Sequence, residues 1–361
     1  MNVLSVFDGH SGAMISLAKA GIKVDNYFSS EIDKHSIKAS IACYPNIIRL
    51  GDVKNVDVLE LGAIDILLGG SPCQSFSFAG KRKGMSTKCE IEILDLNHYL
   101  QLKSESFEFE GQSYLFWEYM RILRELQQVN PDVYFFLENV EMGEKWEHVI
   151  SMAIGVKGIH INSALVSAQN RRRIYWTNIG MQPEGLFGEL ESIIPQPKDR
   201  GILLKDILES EVDEKYYLSD KALNYIKGGT GPLSRSDGKT YCLDTGKTNA
   251  IEVIGCDYRT DEGIRYREGG KTGTLAARAR KDESCGQLVA ININNGFQYK
   301  GINIKSRIRR FTVRECGRLQ TIPEHIIDTI LLSGVSDSQI YKMFGNGWNI
   351  ETIVHILKHI K

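Results

Sequence analysis

The chain has 361 residues, 42% of them hydrophobic and 25% charged, and a formal net charge of −1. That length suits one large α/β domain plus a smaller one, and the composition excludes a disordered or fibrous protein. No apolar run approaches the roughly 18 residues that cross a bilayer, and the start MNVLSVFDGH lacks the basic segment of a secretion signal.

In chain order, NVLSVFD (2–8), NYFSSE (26–31), AIDILLGG (63–70) and DVYFFLENV (132–140) read as buried strands. Between them SGAMISLAKAG (11–21), KHSIKASIACY (34–44) and SYLFWEYMRILRELQQV (113–129) carry helical periodicity. Strand–helix alternation predicts an α/β fold with a mostly parallel twisted sheet covered on both faces. Ligands of such folds bind beyond the strand ends, and Asp8, Glu31, Cys73 and Glu138 all fall at or near one.

Residues 1–182 are therefore expected to form the ligand-binding domain, and 183–201 a linker. Residues 202–305, rich in glycine and poor in long apolar runs, read as a smaller irregular or β-rich domain. Helical patterning resumes at FTVRECGRLQ (311–320) and NIETIVHILKHI (349–360), so 306–361 is expected to return to the first domain. From Arg259 to Arg310 there are 12 Lys and Arg against 5 Asp and Glu. Such a block can bind phosphates in a neutral chain; a solvated face is the plainer alternative.

The seven cysteines, at 43, 73, 89, 242, 256, 285 and 316, form no CxxC pair. Neither a zinc site nor a disulfide framework is expected, and a reducing, cytoplasmic setting fits. Cys73, however, opens a stretch of small and polar residues in GGSPCQSFSFAG (69–80), an odd setting for a structural thiol. Glu138 follows the apolar run VYFF, where a carboxyl should hold a proton near neutrality. Capping of a helix starting near Glu141 would also account for it. Together Cys73 and Glu138 suggest covalent catalysis paired with an acid.

FDGHSG (7–12) follows a strand and opens a helix, so a ligand can approach its backbone closely. It is not GxGxxG. A carboxylate 23 residues after Asp8, Glu31, suits ribose hydroxyls. In QNRRRIYW (169–176), strand alternation would aim Arg171 and Arg173 at one site, able to hold a phosphate or a base.

In this order FDGHSG, SSEID, GDV, GGSPCQSFS, ENV, QNRRR, RECGRLQTIPE and GNGW resemble the cytosine-5 DNA methyltransferases along nearly the whole chain. The resemblance implies a Rossmann-like, S-adenosylmethionine-dependent methyltransferase domain, with 202–305 as target-recognition domain and S-adenosylhomocysteine as product. It implies Cys73 as the nucleophile at cytosine C6, on a base flipped from the duplex. Glu138 would bind N3 and the exocyclic amine, and Arg173 would hold the base with Gln169 and Arg171 in support. Phe7 and Gly9, with Asp8, Gly12, Val53 and Pro72, would line the donor pocket. Glu31 would bind the ribose, Ile32 and Asp52 the adenine, and Asn346 and Trp348 would close over it. Arg278 and Arg280 in LAARARKDES (275–284) are the expected DNA contacts. Implied partners are duplex DNA and, in the cell, a restriction endonuclease; membranes and metals are not implied, and the oligomeric state stays open.

Three features depart from the common pattern: FDGHSG and GNGW lean towards the animal de novo enzymes, and 86–110 looks like an insertion. Two other readings remain. One is a transfer-RNA methyltransferase, disfavoured because no Cys-Phe-Thr signature is present. The other is an inactive DNA-binding paralogue, disfavoured because PCQ and ENV are intact.

Overall fold

The computed structural model describes residues 1–72, 85–184, 189–217 and 306–361, plus the backbone of six strands between 255 and 303. Two compact units divide the chain. The first holds Met1–Ile161, Arg172–Gln196 and Ile353–Lys361; the second holds Asn162–Arg171 and Pro197–Thr352.

A seven-stranded sheet organises the first unit. Its strands are β1 (Asn2–Val6), β2 (Asn26–Ser30), β3 (Ile48–Arg49), β4 (Ile66–Gly70), β5 (Tyr134–Val140), β6 (Ile159–Asn162) and, after the two-residue β7 (Gln169–Asn170), β8 (Arg172–Thr177). Their spatial order is β3-β2-β1-β4-β5-β8-β6. β3, β2, β1, β4 and β5 run parallel, as expected for near-continuous apolar strands buried on both faces. β8 runs antiparallel to β5, with Glu138 opposite Tyr175 and Val140 opposite Arg173. This reversal matters for the site: it brings the start of β8 to the same sheet edge as the end of β5.

The crossover helices are α1 (Gly12–Ala20), α2 (Lys34–Cys43), α3 (Leu96–Ser104), α4 (Phe116–Val129) and α5 (Glu144–Ile154). Local chemistry sets their ends. The Asp33 side chain caps α2 by accepting from the His35 and Ser36 N–H groups, and Asp95 caps α3 through His98. Gly21 ends α1 with a left-handed residue, φ 79°. α4 buries Phe116, Trp117, Met120, Leu123 and Leu126 with Leu67, Leu137 and Trp176 in one core. Gly69 of β4 passes so close to α4 that a Cβ there would lie 2.9 Å from the Tyr119 ring. The apparent insertion is part of this packing, since Ile93, Tyr99 and Leu102 are all buried in it. A hairpin of β9 (Met181–Glu184) and β10 (Glu189–Ser192) completes the unit's strands among the described residues.

The second unit pairs β7 in parallel with β13 (Thr272–Gly273). It also has a four-stranded antiparallel sheet of β12 (Gly263–Arg267), β11 (Gly255–Arg259), β14 (Cys285–Asn292) and β17 (Ser306–Arg309). β15 (Gln298–Tyr299) and β16 (Ile302–Asn303) form a small hairpin. Helices α6 (Val313–Leu319), α7 (Glu324–Leu332) and α8 (Asp337–Asn346) follow; α9 (Ile350–Leu357) begins here and ends in the first unit.

This division differs from boundaries drawn at 182, 201 and 305. The helical patterning after 305 shows that helices form, but not which unit they pack on; α6, α7 and α8 go with the second, and the chain rejoins the first only at Ile353. The basic block also proves partly internal. Arg309 is 1% exposed and its guanidinium grips the equally buried Glu315 at 2.7 Å, so one cation counted towards phosphate binding is a core ion pair.

Candidate active site

The FDGHSG turn departs from ordinary backbone geometry. Phe7, Gly9 and Ser11 all have positive φ, 57°, 57° and 64°. Only glycine adopts that region readily, so two of the three residues are held there by tertiary contacts. Asp8 supplies the hold. Its buried carboxylate accepts from the hydroxyls of Ser11 (2.8 Å), Tyr27 (2.6 Å) and Ser29 (2.7 Å). Burial raises its carboxyl above the ordinary range, against the pull of those donors. The Asp8 side chain is thus turned inward as a clamp on the turn. Gly12 is buried at the first position of α1.

Glu31 sits at the lip of the turn. Oε2 accepts from the Gly9 N–H, and Oε1 accepts from Ile32 and Asp33, each at 2.8 Å. Burial raises this carboxyl as well, opposed by the three N–H groups. A carboxylate offers about four acceptor positions, so among the described residues one remains, on Oε2. That suits a ligand hydroxyl. Beside it Ile32 is 64% exposed, a large apolar side chain available for a flat ring. Asp52 caps the one-turn helix Val53–Asn55 through the Lys54 N–H and pairs with the Lys54 ammonium at 3.1 Å. Val53 is buried and Phe7 half-buried.

At the β4–β5 edge, Gly70 lies opposite Glu138 in register. Glu138 sits inside β5 rather than after it, and α5 is capped by Gly143, so Glu138 caps no helix. Nor is its setting simply apolar: the Arg173 guanidinium pairs with its carboxylate, Nε lying 2.9 Å from Oε1, both side chains being nearly buried. Next to it, the Asn139 amide donates to the Ser71 hydroxyl (2.9 Å) and carbonyl (3.3 Å). Asn139 was not singled out by its sequence, yet it ties the residue before Pro72 to the strand bearing Glu138. Cys73 itself lies outside the described residues, as do Arg278 and Arg280.

Arg171 and Arg173 have different neighbours in the structure, each within its own unit. Arg171 belongs to neither strand, because the chain breaks its extended run between β7 and β8. Its guanidinium donates to the carbonyls of Gly345 (3.3 Å) and Gly347 (2.8 Å) in the second unit, while Arg173 engages Glu138. Gln169 is fully buried beside β13. Asn346 ends α8 exposed, and Trp348 follows half-buried.

The profile of the C-5 cytosine-specific DNA methylases matches residues 1–97 and 102–361. The chain belongs to that family. The orphan methyltransferase M.SPRI of Bacillus phage SPR is 26% identical, over 100% of this chain and 97% of its own length. The type II methyltransferase M1.ScrFI of Lactococcus lactis subsp. cremoris is 30% identical over 97% of this chain and 75% of its own. In fold, the S. pombe Dnmt2 methyltransferase superposes with a TM-score of 0.63 at 15% identity, covering 99% of this chain and 97% of its own. This family member is accordingly a methyltransferase of C5 of cytosine in DNA, with S-adenosylmethionine as donor. The four residues outside the profile match, 98–101, lie in α3. Among the described residues, no helix is long and apolar enough to cross a membrane and no cluster of metal-ligating side chains occurs.

Proposed function

We propose that this methyltransferase works through a covalent adduct between Cys73 and C6 of a cytosine flipped from duplex DNA. The observation that carries the reading is the base-facing cluster: Glu138 held by Arg173, with Asn139 tying down Ser71 two residues before Cys73. Glu138 is the group that engages N3 and the exocyclic amine of the base, and Arg173 fixes its carboxylate. Attack of the Cys73 thiolate at C6 puts electron density on C5. A proton delivered to N3 through Glu138 favours that attack. Once C5 is methylated, loss of its proton and expulsion of the Cys73 thiolate restore the aromatic ring. Extruding the base costs a few kcal/mol.

The residues present fit the donor. Glu31 keeps an acceptor position for a ribose hydroxyl and Ile32 offers an apolar face for the adenine, with Asp52, held by Lys54, as the further adenine contact that the family resemblance implies. When bound, S-adenosylmethionine supplies the methyl group on a sulfonium. Phosphate and base contacts fall to the second unit, Arg278 and Arg280 included. The cellular setting we assign is the cytoplasm of a bacterium or phage-infected cell, by analogy with the sources of the relatives; relatives named orphan and relatives named type II both match, so no endonuclease is assigned.

A duplex carrying 5-fluorocytosine tests the chemistry, because a C5 fluorine cannot leave as a proton and the adduct stalls. The wild type should be trapped through Cys73, and Cys73→Ser should neither be trapped nor turn over, since an alcohol is far less ionised than a thiol. An adduct mapped to Cys89 or Cys316, or substantial turnover by the serine variant, would overturn the assignment. Preference for transfer RNA over duplex DNA in competition would move the substrate.

A further inference from the structure

We propose that Arg121 is a positioning residue for the methyl donor, and that the 86–110 segment sets donor affinity through it. The proposal rests on the reading of the Glu31–Asp52 side as the donor pocket. Arg121 emerges from α4, and its guanidinium donates to the carbonyls of Val53 and Val56, each at 3.2 Å. Those carbonyls bracket the turn that starts at Asp52, the residue read above as an adenine contact. The turn is otherwise a single 3-10 turn capped by Asp52 itself, and α4 packs directly on it. Short 3-10 turns have poor internal hydrogen bonds, so an outside clamp decides where such a turn sits.

Arg121 can clamp only if its own orientation is fixed. Glu118, one turn earlier on α4 and fully buried, accepts from Nε at 2.8 Å. Glu125 accepts from Nη1 at 2.9 Å on the exposed side. Four of the five N–H groups of the guanidinium are thereby engaged, two on backbone carbonyls and two on carboxylates, the fixed fork that arginine offers and lysine does not. The remaining oxygen of Glu118 accepts from the Tyr99 hydroxyl and the Lys103 ammonium, both at 2.5 Å and both from α3. A buried carboxylate stripped of one partner is costly and reorients its other partner.

The same segment reaches the turn a second way. Phe109 stacks on Tyr114 at 4.6 Å and Tyr99 lies 5.2 Å from Phe109. Tyr114 in turn feels the charges of Lys54 and Asp52. The segment that looks like an insertion therefore completes a chain running Tyr99 and Lys103, Glu118, Arg121, then Val53 and Val56. Every member lies in the first unit.

The experiment compares wild type with Arg121→Lys, Lys103→Met and Tyr99→Phe. It measures donor KM and DNA KM separately, kcat at saturating donor, and S-adenosylhomocysteine affinity by calorimetry. Arg121→Lys keeps the charge and loses the double clamp; it should raise donor KM and product Kd about 5- to 50-fold, with kcat and DNA KM within about twofold. Lys103→Met and Tyr99→Phe, outside the pocket, should each raise donor KM about two- to fivefold by loosening Glu118. A purely structural role would lower the melting temperature and leave the KM ratio alone. Should Arg121→Lys fail to fold, the two α3 variants decide. Donor KM within twofold of wild type in the folded variants overturns the proposal, and so does a matching rise in DNA KM. A wild type that binds the product nucleoside yet methylates no cytosine would instead overturn the functional reading, and leaves the binding comparison intact.

Discussion

His10, in the strained turn between Phe7 and Ser11, should make the first unit acid-labile in a calculable way. It is 2% exposed, and burial pulls its imidazolium from 6.5 down to about 4. The unfolded chain takes up this proton first, so the stabilising contribution of neutral His10 is fully present above about pH 6.5. It is lost as pH falls towards 4, where the folded state also binds the proton. Between pH 7.5 and 5 the two titration curves differ by about 2 kcal/mol. Asp8 and Glu31, raised by burial, act in the opposite sense: their contribution is present at low pH and fades as pH rises through their folded values. The measurement is therefore a difference. Urea unfolding of wild type and His10→Gln would be followed at pH 7.5 and 5 by tryptophan fluorescence, which reports mainly the first unit, since Trp117, Trp146 and Trp176 lie in it and only Trp348 in the second. His10→Gln should be less stable than wild type at pH 7.5, but should lose about 2 kcal/mol less on acidification. Equal losses in both proteins would refute the account.

Glu31→Ala removes the acceptor of the Gly9, Ile32 and Asp33 N–H groups and of the expected ribose hydroxyl; donor Kd by calorimetry should rise about 10- to 100-fold with the methylated sequence unchanged in bisulfite reads. Asn139→Ala unties Ser71, so single-turnover methylation should slow about tenfold while donor affinity holds; an unchanged rate would show that the tie does not position the loop. Gly69→Ala forces a methyl against the Tyr119 ring and Val6, and urea titration should show a loss of about 1–3 kcal/mol.

Strands and helices were legible because their signal is local. The apolar runs at 2–8 and 132–140 contain β1 and β5, and the 3.6-residue pattern at 113–129 contains α4. The reversal of β8 was not legible, since a buried strand reads alike in either direction. The site residues divide the same way. Glu31 was readable from its spacing to the first turn. The inward role of Asp8 was not, because its partners Tyr27 and Ser29 are 19 and 21 residues away and hydroxyls carry no pattern. Glu118 and Arg121 look like the solvated face of an amphipathic helix until α3 covers them. Arg171 and Arg173 alternate as strand residues should, but the break between β7 and β8 sends them to different partners.

The reach of the ties around Asp8 has a consequence for the order of assembly. Asp8 meets Tyr27 and Ser29 across 19 and 21 residues, and Glu31 meets Gly9 across 22. The tie from Asn139 to Ser71 spans 68 residues. Closing a short loop costs less entropy than closing a long one, and contacts of low sequence separation form sooner. On a chain growing from its N-terminus, the ties of Asp8 to Tyr27 and Ser29 and of Gly9 to Glu31 can form once Glu31 has been made, and that of Ser11 to Ser40 soon after. The Glu138–Arg173 pair must wait until Arg173 has been synthesised. On the proposed roles, the two halves of one reaction are thus built at different times, the donor side well before the side that holds the cytosine.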